Sequence, residues 1–503
     1  MTLTDDYFNY TKQWKEEYGE KTIVLMQVGS FFEVYALEDK DGKLIGSHIE
    51  EFARINDMVI ATKSTCVGSK PVKMAGFGLA QIDKYIRRLQ EHGYTIAIYT
   101  QDIQGKNTTR SLSQIISPGT FFSQDNTELS NNISCIWIHF SPANKIINSQ
   151  LSIGISNIDI YTGQTCIIQF EKEFFHNPAT YDDIERQLAI FRPSECIIVS
   201  NLSENKVNDI IDFSSIDCNK IHKIIMGESN NVSSSMNKFA KNAEKQTYQR
   251  EIIRKFYPTI PEETILEYFP THFLALQSFT FLLDFVYQHN PTLVNRLSQP
   301  KFENYTENLI LANHSLRQLN MLDDTRHKGR LRSVGALLNN CVTNMGKRRF
   351  NYNLNNPITN IEKLNESYEL TEYLLETLQW GAYRNDMTGL KDIEKFMRKL
   401  VFKKERISPK DFAILAHDLK VVIKMDESTS VDRELNNYIN KHLKVDISEH
   451  CNKIIANLNH NFSLKKCEKI HDMSSGQLID TNNSDLCFIN KGVSLVIDEL
   501  FKD

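Results

Sequence analysis

Apolar and charged residues interleave at helical spacing from the first residues onward. Tyr7, Phe8, Tyr10, Trp14 and Tyr18 recur as the stripe of an amphipathic helix over residues 1–18. Thr22 to Val28 (TIVLMQV) is short and almost uniformly apolar, which suits a buried strand better than a helix. Gly29 then permits a turn. A second helix is predicted over Gln81–His92, with Ile82, Ile86 and Leu89 on one face and Gly93 at the position that ends helices in a left-handed residue. The run Tyr94–Thr100 (YTIAIYT) predicts another strand, and Pro118-Gly119 punctuates the end of this mixed α/β unit.

A second α/β pattern begins near Asn132. Three strand-like runs follow one another: Ile133–Phe140, Leu151–Ile160 and Gln164–Phe170, the last two joined by the hairpin-type turn Tyr161-Thr162-Gly163. A helix over Tyr181–Phe191 leads through Pro193 to the strand Glu195–Ser200. Hairpin-linked strands, a helix and a further strand predict an RNase H-like sheet. Residues 201–245 are rich in Ser, Asn and Lys and read as loop and linker. From about Glu262 the pattern is helical. Asn355-Asn356-Pro357 breaks it once, Thr359 and Glu362 form a capping box, and Ile361, Leu364, Tyr368, Leu375 and Leu378 fall on or near one face. The expected architecture is multidomain: α/β over 1–122, α/β and RNase H-like over 130–255, and all-α over 256–503.

Composition narrows the classes. At 503 residues, 41% hydrophobic and 24% charged, the chain resembles an ordinary globular protein of several domains. No run approaches the ~20 apolar residues of a membrane span. The N-terminus is acidic and lacks the basic start and apolar run of a signal peptide. The nine cysteines stand singly, with no CxxC pair, and the 14 histidines show no metal-binding spacing, so neither zinc nor another metal is expected. A net charge of −5 argues against a simple basic nucleic-acid coat, yet leaves room for a local basic surface.

The most informative stretch is Gly29-Ser30-Phe31-Phe32-Glu33-Val34-Tyr35. Its plain reading is a strand whose aromatics are core. Its functional reading exposes one ring beside a carboxylate: an exposed Phe can wedge between base steps, and a carboxylate can hydrogen-bond an unstacked base edge. This stretch resembles the Phe-X-Glu motif of MutS mismatch-recognition domains. The resemblance maps Phe31 onto the stacking phenylalanine and Glu33 onto the base-contacting glutamate. Ser30 departs from the usual Asp and Phe32 from a common Tyr.

Further segments are similar to that family in the same order. Met74-Ala75-Gly76-Phe77-Gly78 resembles Met-Ala-Gly-(Ile/Val)-Pro, and Ser117-Pro118-Gly119-Thr120 resembles the Thr-Pro-Gly-Thr that closes the first domain. Asn157–Gly163 resembles the Asp-x-x-(Ser/Thr)-Gly turn of the connector. Cys341 to Arg348 resembles Cys-x-Thr-x-Met-Gly-x-Arg of the core, Asn355–Ile358 the element after it, and Asp392-Ile393-Glu394-Lys395 the Asp-(Leu/Ile)-Glu-Arg of the lever. Tyr18–Tyr35 is most similar to the lineage of giant viruses and octocoral mitochondria. The resemblance implies a mismatch-recognition domain, a connector and a core/lever domain. Met74 falls in the DNA-binding element, and Lys63, Lys70 and Lys73 lie near the wedge in sequence, where phosphate contacts would set register. Lys347-Arg348-Arg349, with Asp323 and Asp324 as candidate partners, reads as a structural charge network. Asp159 lacks companion carboxylates, so nuclease chemistry is not expected, and no catalytic residue is assigned.

A phosphate-cradling loop needs Gly-x-x-x-x-Gly-Lys-(Ser/Thr). Gly346-Lys347 is followed by Arg348 and preceded by Cys341 where the first Gly belongs; Gly105-Lys106 is followed by Asn107. No cofactor is therefore expected in this chain, and the ATP and Mg of the family are assigned to an ATPase domain that it lacks. Lys491–Asp503 resembles the segment before the clamp. The expected function is binding of mismatched double-stranded DNA in mismatch repair, in the cytoplasm or a virus-replication compartment, not in a membrane and not secreted. A second MutS chain or the missing ATPase half are the expected protein partners. The rival expectation is a fragment or split chain that acts only as a protein-interaction scaffold.

Overall fold

The computed structural model describes residues 3–468 apart from 105–106, 124–127, 146–147, 215, 227–234, 262–263, 266, 268–270, 303–307, 310–314, 322–328, 330 and 403–406. Asp323, Asp324, Lys106 and the 491–503 segment lie outside the described residues. The described residues form two compact units, Met1–Tyr305 and Thr306–Asp503.

The first unit holds two sheets. Helix α1 (Leu3–Tyr18) precedes β1 (Thr22–Val28), β2 (Phe31–Glu38) and the short β3 (Leu44–Ile45); α2 (Ile49–Asn56) follows, then β4 (Ala61–Val67) and β5 (Lys70–Gly78). Helix α3 (Ile82–Glu91), β6 (Thr95–Gln104) and β7 (Asn107–Ile116) complete the first layer. The strand order is β4-β5-β2-β1-β6-β7, with β3 on β2. β1 lies in the middle, antiparallel to β2 and parallel to β6, which explains its continuous apolar run: Ile23 to Met26 are all buried. α3 stops where expected, with Gly93 at φ +79. Two layers cover the sheet. Tyr7 of α1 meets Tyr35 edge-on at 5.0 Å and Tyr10 stacks on Tyr99 at 4.2 Å, while Phe52 of α2 and Tyr85 of α3 pack on Phe77. Burying one such aromatic contributes about 1.5–3 kcal/mol.

The second sheet has the order β12-β11-β8-β9-β10-β13. β8 (Asn132–Ser141), β9 (Gln150–Asp159) and β10 (Thr165–Glu173) are antiparallel neighbours; β11 (Glu195–Ser200) and β12 (Lys220–Ile225) join parallel to β8, and β13 (Lys301–Phe302) parallel to β10. Helices α4 (Asp182–Phe191), α5 (Glu204–Phe213), α6 (Ser235–Ala243) and α7 (Gln246–Phe256) belong here too. The expected linker at 201–245 is therefore corrected: it contains α5, β12 and α6. The long helix α8 (Phe273–His289) packs on β8 and β9, its first turn capped by Gln169 Oε1, which accepts from Leu274 N at 2.9 Å. Residues grouped by sequence with the helical segment thus pack with this sheet as far as the division at Tyr305.

A buried polar joint ties the two sheets together. The Glu195 carboxylate, with no exposed surface, accepts from Gly119 N at 2.9 Å, from the Ser117 hydroxyl and from the His222 ring at 2.6 Å. Lys220 donates to the Tyr18 carbonyl at 3.1 Å and to the Thr95 hydroxyl, and His289 of α8 meets Tyr18 edge-on. Ser117–Thr120, which resembles the family's closing element, forms part of this joint.

The second unit is helical among its described residues, apart from an isolated bridge between Asn308 and Ile358. Its core gathers Leu400, Phe412, Leu415 and Leu458 from Ile393–Val401, Pro409–Val431 and Ile447–Asn461, and Phe462 just past the last of these, with Phe412 stacked on Phe462 at 4.8 Å. Helix Ile361–Thr377 is capped by Asn360, which accepts from Lys363 N at 2.9 Å, one residue later than the Thr359 capping box expected from sequence. None of its residues is buried; Ile361, Tyr368 and Leu375 stay exposed.

Candidate nucleic-acid interface

The site is built on the β1–β2 hairpin. Met26 pairs with Glu33 and Val28 with Phe31, leaving Gly29 and Ser30 as a two-residue turn. Gly29 takes φ +57, whereas Ser30 is not among the positive-φ residues. That combination is the signature of a type II′ hairpin turn, which wants glycine first. Side chains alternate along β2. Phe32, Val34 and Ala36 enter the core on one face. Phe31, Glu33 and Tyr35 share the other, and along it exposure falls from the turn inward: Phe31 is 54% exposed, Glu33 8% and Tyr35 0%. Phe31 therefore breaks the rule that its neighbour Phe32, 4% exposed, obeys.

Glu33 is not a bare carboxylate. Its Oε2 accepts from Lys63 Nζ at 2.9 Å and from the Tyr35 hydroxyl. Lys63 Nζ is also 2.9 Å from the Tyr35 hydroxyl oxygen and 4.5 Å from its ring centroid. Burial, with the Glu33 carboxylate beside it, pushes the Tyr35 phenol well above its usual range, so it remains a donor. Lys63 comes from β4, reached across β5. Sequence placed it only as a nearby cation; its pairing with Glu33 was not legible.

The remaining predicted residues line β5 and its hairpin. Met74 pairs with Tyr35 on one side and Ala61 on the other, half-buried against the first core. Lys73 pairs with Glu38 at 3.1 Å and donates to the Thr62 hydroxyl. Lys70 sits half-buried at the β4–β5 turn opposite Val67. Gly76 faces Glu33, and a Cβ there would lie 2.5 Å from the Phe32 carbonyl oxygen and 3.2 Å from Glu33 Cγ. Two stretches far apart in sequence, Gly29–Tyr35 and Met74–Gly78, are thus on neighbouring strands of one sheet.

Family models of MutS domain I and MutS domain III match residues 7–125 and 314–484. The chain belongs to the MutS family. A DNA mismatch repair mutS homologue of Acanthamoeba polyphaga mimivirus is 26% identical over 420 residues, covering 79% of this chain and 37% of the viral protein. The DNA mismatch repair protein MutS of Methanosarcina barkeri is 22% identical over 400 residues, 77% of this chain and 40% of that protein. The mitochondrial mutS homologue of Sarcophyton glaucum is 23% identical over 448 residues, 78% and 42% respectively. The chain spans about two fifths of the length of these MutS relatives. The hairpin and β5 both lie inside the MutS domain I match.

Elsewhere in this MutS chain, two motifs meet. Arg348 forks onto Asp392, at 2.5 and 2.7 Å, and reaches Glu394 at 2.5 Å. Of the charge network expected around Lys347-Arg348-Arg349, Arg348 is thus structural, with its partners Asp392 and Glu394. Asp159 is likewise structural: it accepts from Asn131 N and Tyr161 N at 3.0 Å and from the Thr162 hydroxyl at 2.7 Å, ordering its own turn. Among the described residues no helix is long and apolar enough to cross a membrane.

Proposed function

We propose that this chain recognises mismatched or readily deformed duplex DNA in mismatch repair, with Phe31 as the wedge and Glu33 as the base contact. The exposure of the Phe31 ring beside the hairpin turn, next to a buried Phe32, carries the reading, because an apolar ring left half in solvent gains little from packing. Phosphate contacts from Lys70 and Lys73, and from Lys63 once Glu33 releases it, hold the duplex without reading sequence, with Met74 beside them. The ring then tests each step: a mispaired step unstacks at lower cost, so it is selected through deformability. The second sheet is read as the RNase H-like connector, and the helical unit as the core and lever. A second MutS chain or an ATPase-bearing partner completes the assembly, in the cytoplasm or a virus-replication compartment.

No catalytic step is assigned to this chain, since no glycine-lysine pair in it stands in a phosphate-cradling loop. ATP hydrolysis by the purified chain above a control preparation would overturn that assignment. One observation favours a second reading, a protein-interaction scaffold: helix Ile361–Thr377 leaves Ile361, Tyr368 and Leu375 more than half exposed. A mobility-shift titration with matched and G·T duplexes at fixed salt separates the two. The wedge reading expects a mismatch preference that Phe31→Ala erases, at a cost of about 1–3 kcal/mol on the mismatched duplex, while salt-sensitive binding to any duplex remains. A scaffold shows no preference; a Phe31→Ala protein with its preference intact returns this ring to the packing role.

A further inference from the structure

The turn that carries Phe31 is held by side chains from two strands, with a third behind them. Gly29 N–H donates to Gln101 Oε1 at 3.0 Å, and Gln27 Nε2 donates back to the Gly29 carbonyl at 3.2 Å. The two glutamines are themselves linked, because Gln101 N–H donates to Gln27 Oε1 at 2.9 Å. Arg110, the β7 partner of Gln101, donates its Nε–H to the Gln27 carbonyl at 2.8 Å. On the far side, Leu79 N–H donates to the Ser30 carbonyl at 3.1 Å.

A two-residue hairpin turn does not require this. Its closing strand pair defines it, and Gly29 is exposed, so water could satisfy both of its polar groups. Replacing water by glutamine side chains from two strands costs rotamer entropy. The gain is a turn with one geometry.

We propose that Gln101, tied to Gln27, is a positioning residue that presets the turn for the Phe31 ring. This rests on the wedge reading above. A ring on a loose turn would have to be ordered when it enters the duplex, and that ordering would weaken binding. A ring on a fixed turn has met that cost during folding. Only the step that accepts the ring benefits, so the brace acts on the mismatched duplex and leaves phosphate-held binding to matched DNA alone.

The test uses the whole chain in five forms: wild type, Gln101→Met, Gln101→Glu, Phe31→Ala and the double variant Phe31→Ala/Gln101→Met. Each is titrated against matched and G·T duplexes of identical flanks, and thermal midpoints are recorded. Gln101→Met keeps the length and removes the acceptor; the ratio of the two affinities is expected to fall roughly three- to tenfold, the worth of one hydrogen bond. Matched binding and the midpoint should hold. Gln101→Glu keeps the acceptor, so the ratio should survive even though the added charge weakens binding to both duplexes. In the Phe31→Ala background Gln101→Met should change the ratio no further, and the Gly29 amide should exchange faster in Gln101→Met than in wild type. If Phe31→Ala loses the preference while Gln101→Met keeps it, the brace is overturned and the wedge stands. A Gln101→Met protein with a lowered midpoint and weaker matched binding would make Gln101 merely structural. Phe31→Ala with full preference removes the wedge reading and this inference together.

Discussion

Lys63 Nζ stands 2.9 Å from the Glu33 carboxylate, which lies two residues along the strand from the exposed Phe31 ring. The pair is mostly buried, its side chains 24% and 11% exposed, and it puts a cation and an anion of the reading face in the same place. On the wedge reading, the pair would let this face approach DNA with less repulsion than a lone glutamate would cause. Lys63, in turn, is not a free phosphate ligand until Glu33 releases it.

Glu33→Gln should release it. The substitution keeps a hydrogen-bonding group at the base edge, removes the anion and leaves Lys63 unbalanced. Matched-duplex binding should tighten, and its dependence on salt should steepen by about one in the log–log slope. Discrimination should fall, because the gain applies to every duplex. Titrations at four salt concentrations read this; an unchanged slope would show that Lys63 already engages phosphate.

Gly76→Ala tests the packing beneath Glu33. The added methyl would sit 2.5 Å from the Phe32 carbonyl oxygen, which belongs to the neighbouring strand and cannot swing aside. Overpacking of this kind costs about 1–3 kcal/mol. A lower urea midpoint at unchanged m is expected; a midpoint equal to wild type would mean that the hairpin yields without cost.

Much of the first unit is readable from its apolar pattern because its central strands, β1 and β11 among them, are covered on both faces. Thr22–Val28 and Glu195–Ser200 are unbroken apolar or nearly so, and Gly93 ends a helix where the chain needs a positive φ. The stretch 201–245 escaped because each of its short elements buries only two or three residues, Val207 and Ile210 in α5 and Met236, Ala240 and Ala243 in α6. β12 carries Lys220 and His222, whose partners Tyr18, Thr95 and Glu195 are remote in sequence. Nothing local marks a lysine as half-buried. At the site, the aromatic alternation of Phe31 to Tyr35 suits core and wedge equally, so family resemblance had to single out Phe31. The Lys63–Glu33 pair spans two strand crossings and left no local signal.

Arg348→Ala should destabilise the helical unit. Asp392, 2% exposed at its side chain, would lose its guanidinium partner while still capping the helix that starts at Ile393. Removing one partner of a buried pair typically costs about 3–5 kcal/mol. Arg348→Lys should recover only part of this, since an ammonium cannot fork onto Asp392 and reach Glu394 together. Denaturant unfolding of the chain measures both; equal stability of Arg348→Ala and wild type would refute the network's structural role.

The joint at Glu195 predicts the acid response. Burial pushes its carboxyl up, but the His222 hydrogen bond and the neighbouring Lys220 outweigh that and hold it at about 2, against 4.5 when unconstrained. Its contribution is present above pH 4.5 and is lost as pH falls toward 2, on the order of 3 kcal/mol in all. Burial lowers His289 from 6.5 to about 4, so the unfolded chain takes up a proton that the folded chain refuses across that window. Both effects run the same way: stability should fall steadily on acidification below pH 6.5. Burial lowers Lys220 to about 8, which alone would add stability from pH 8 toward 10.5. Burial also raises the Cys135 and Cys218 thiols from 9.0 to about 12, and these withdraw stability as pH climbs above 9, so the alkaline limb should fall. Thermal midpoints across pH give the profile, and Glu195→Gln should flatten its limb below pH 4.5. A variant with an unchanged acid limb would place the acid sensitivity elsewhere.

The central place of β1 also sets an order of assembly. The β1–β2 hairpin joins neighbours in the chain and can close within microseconds. The parallel pairing of β1 with β6, which joins Thr22 to Thr95, must wait for a long loop to close. Gln101 arrives on β6. The hairpin tip therefore exists before the strand that steadies it, and during refolding protection of the Gly29 amide should lag behind that of the Met26–Glu33 rung.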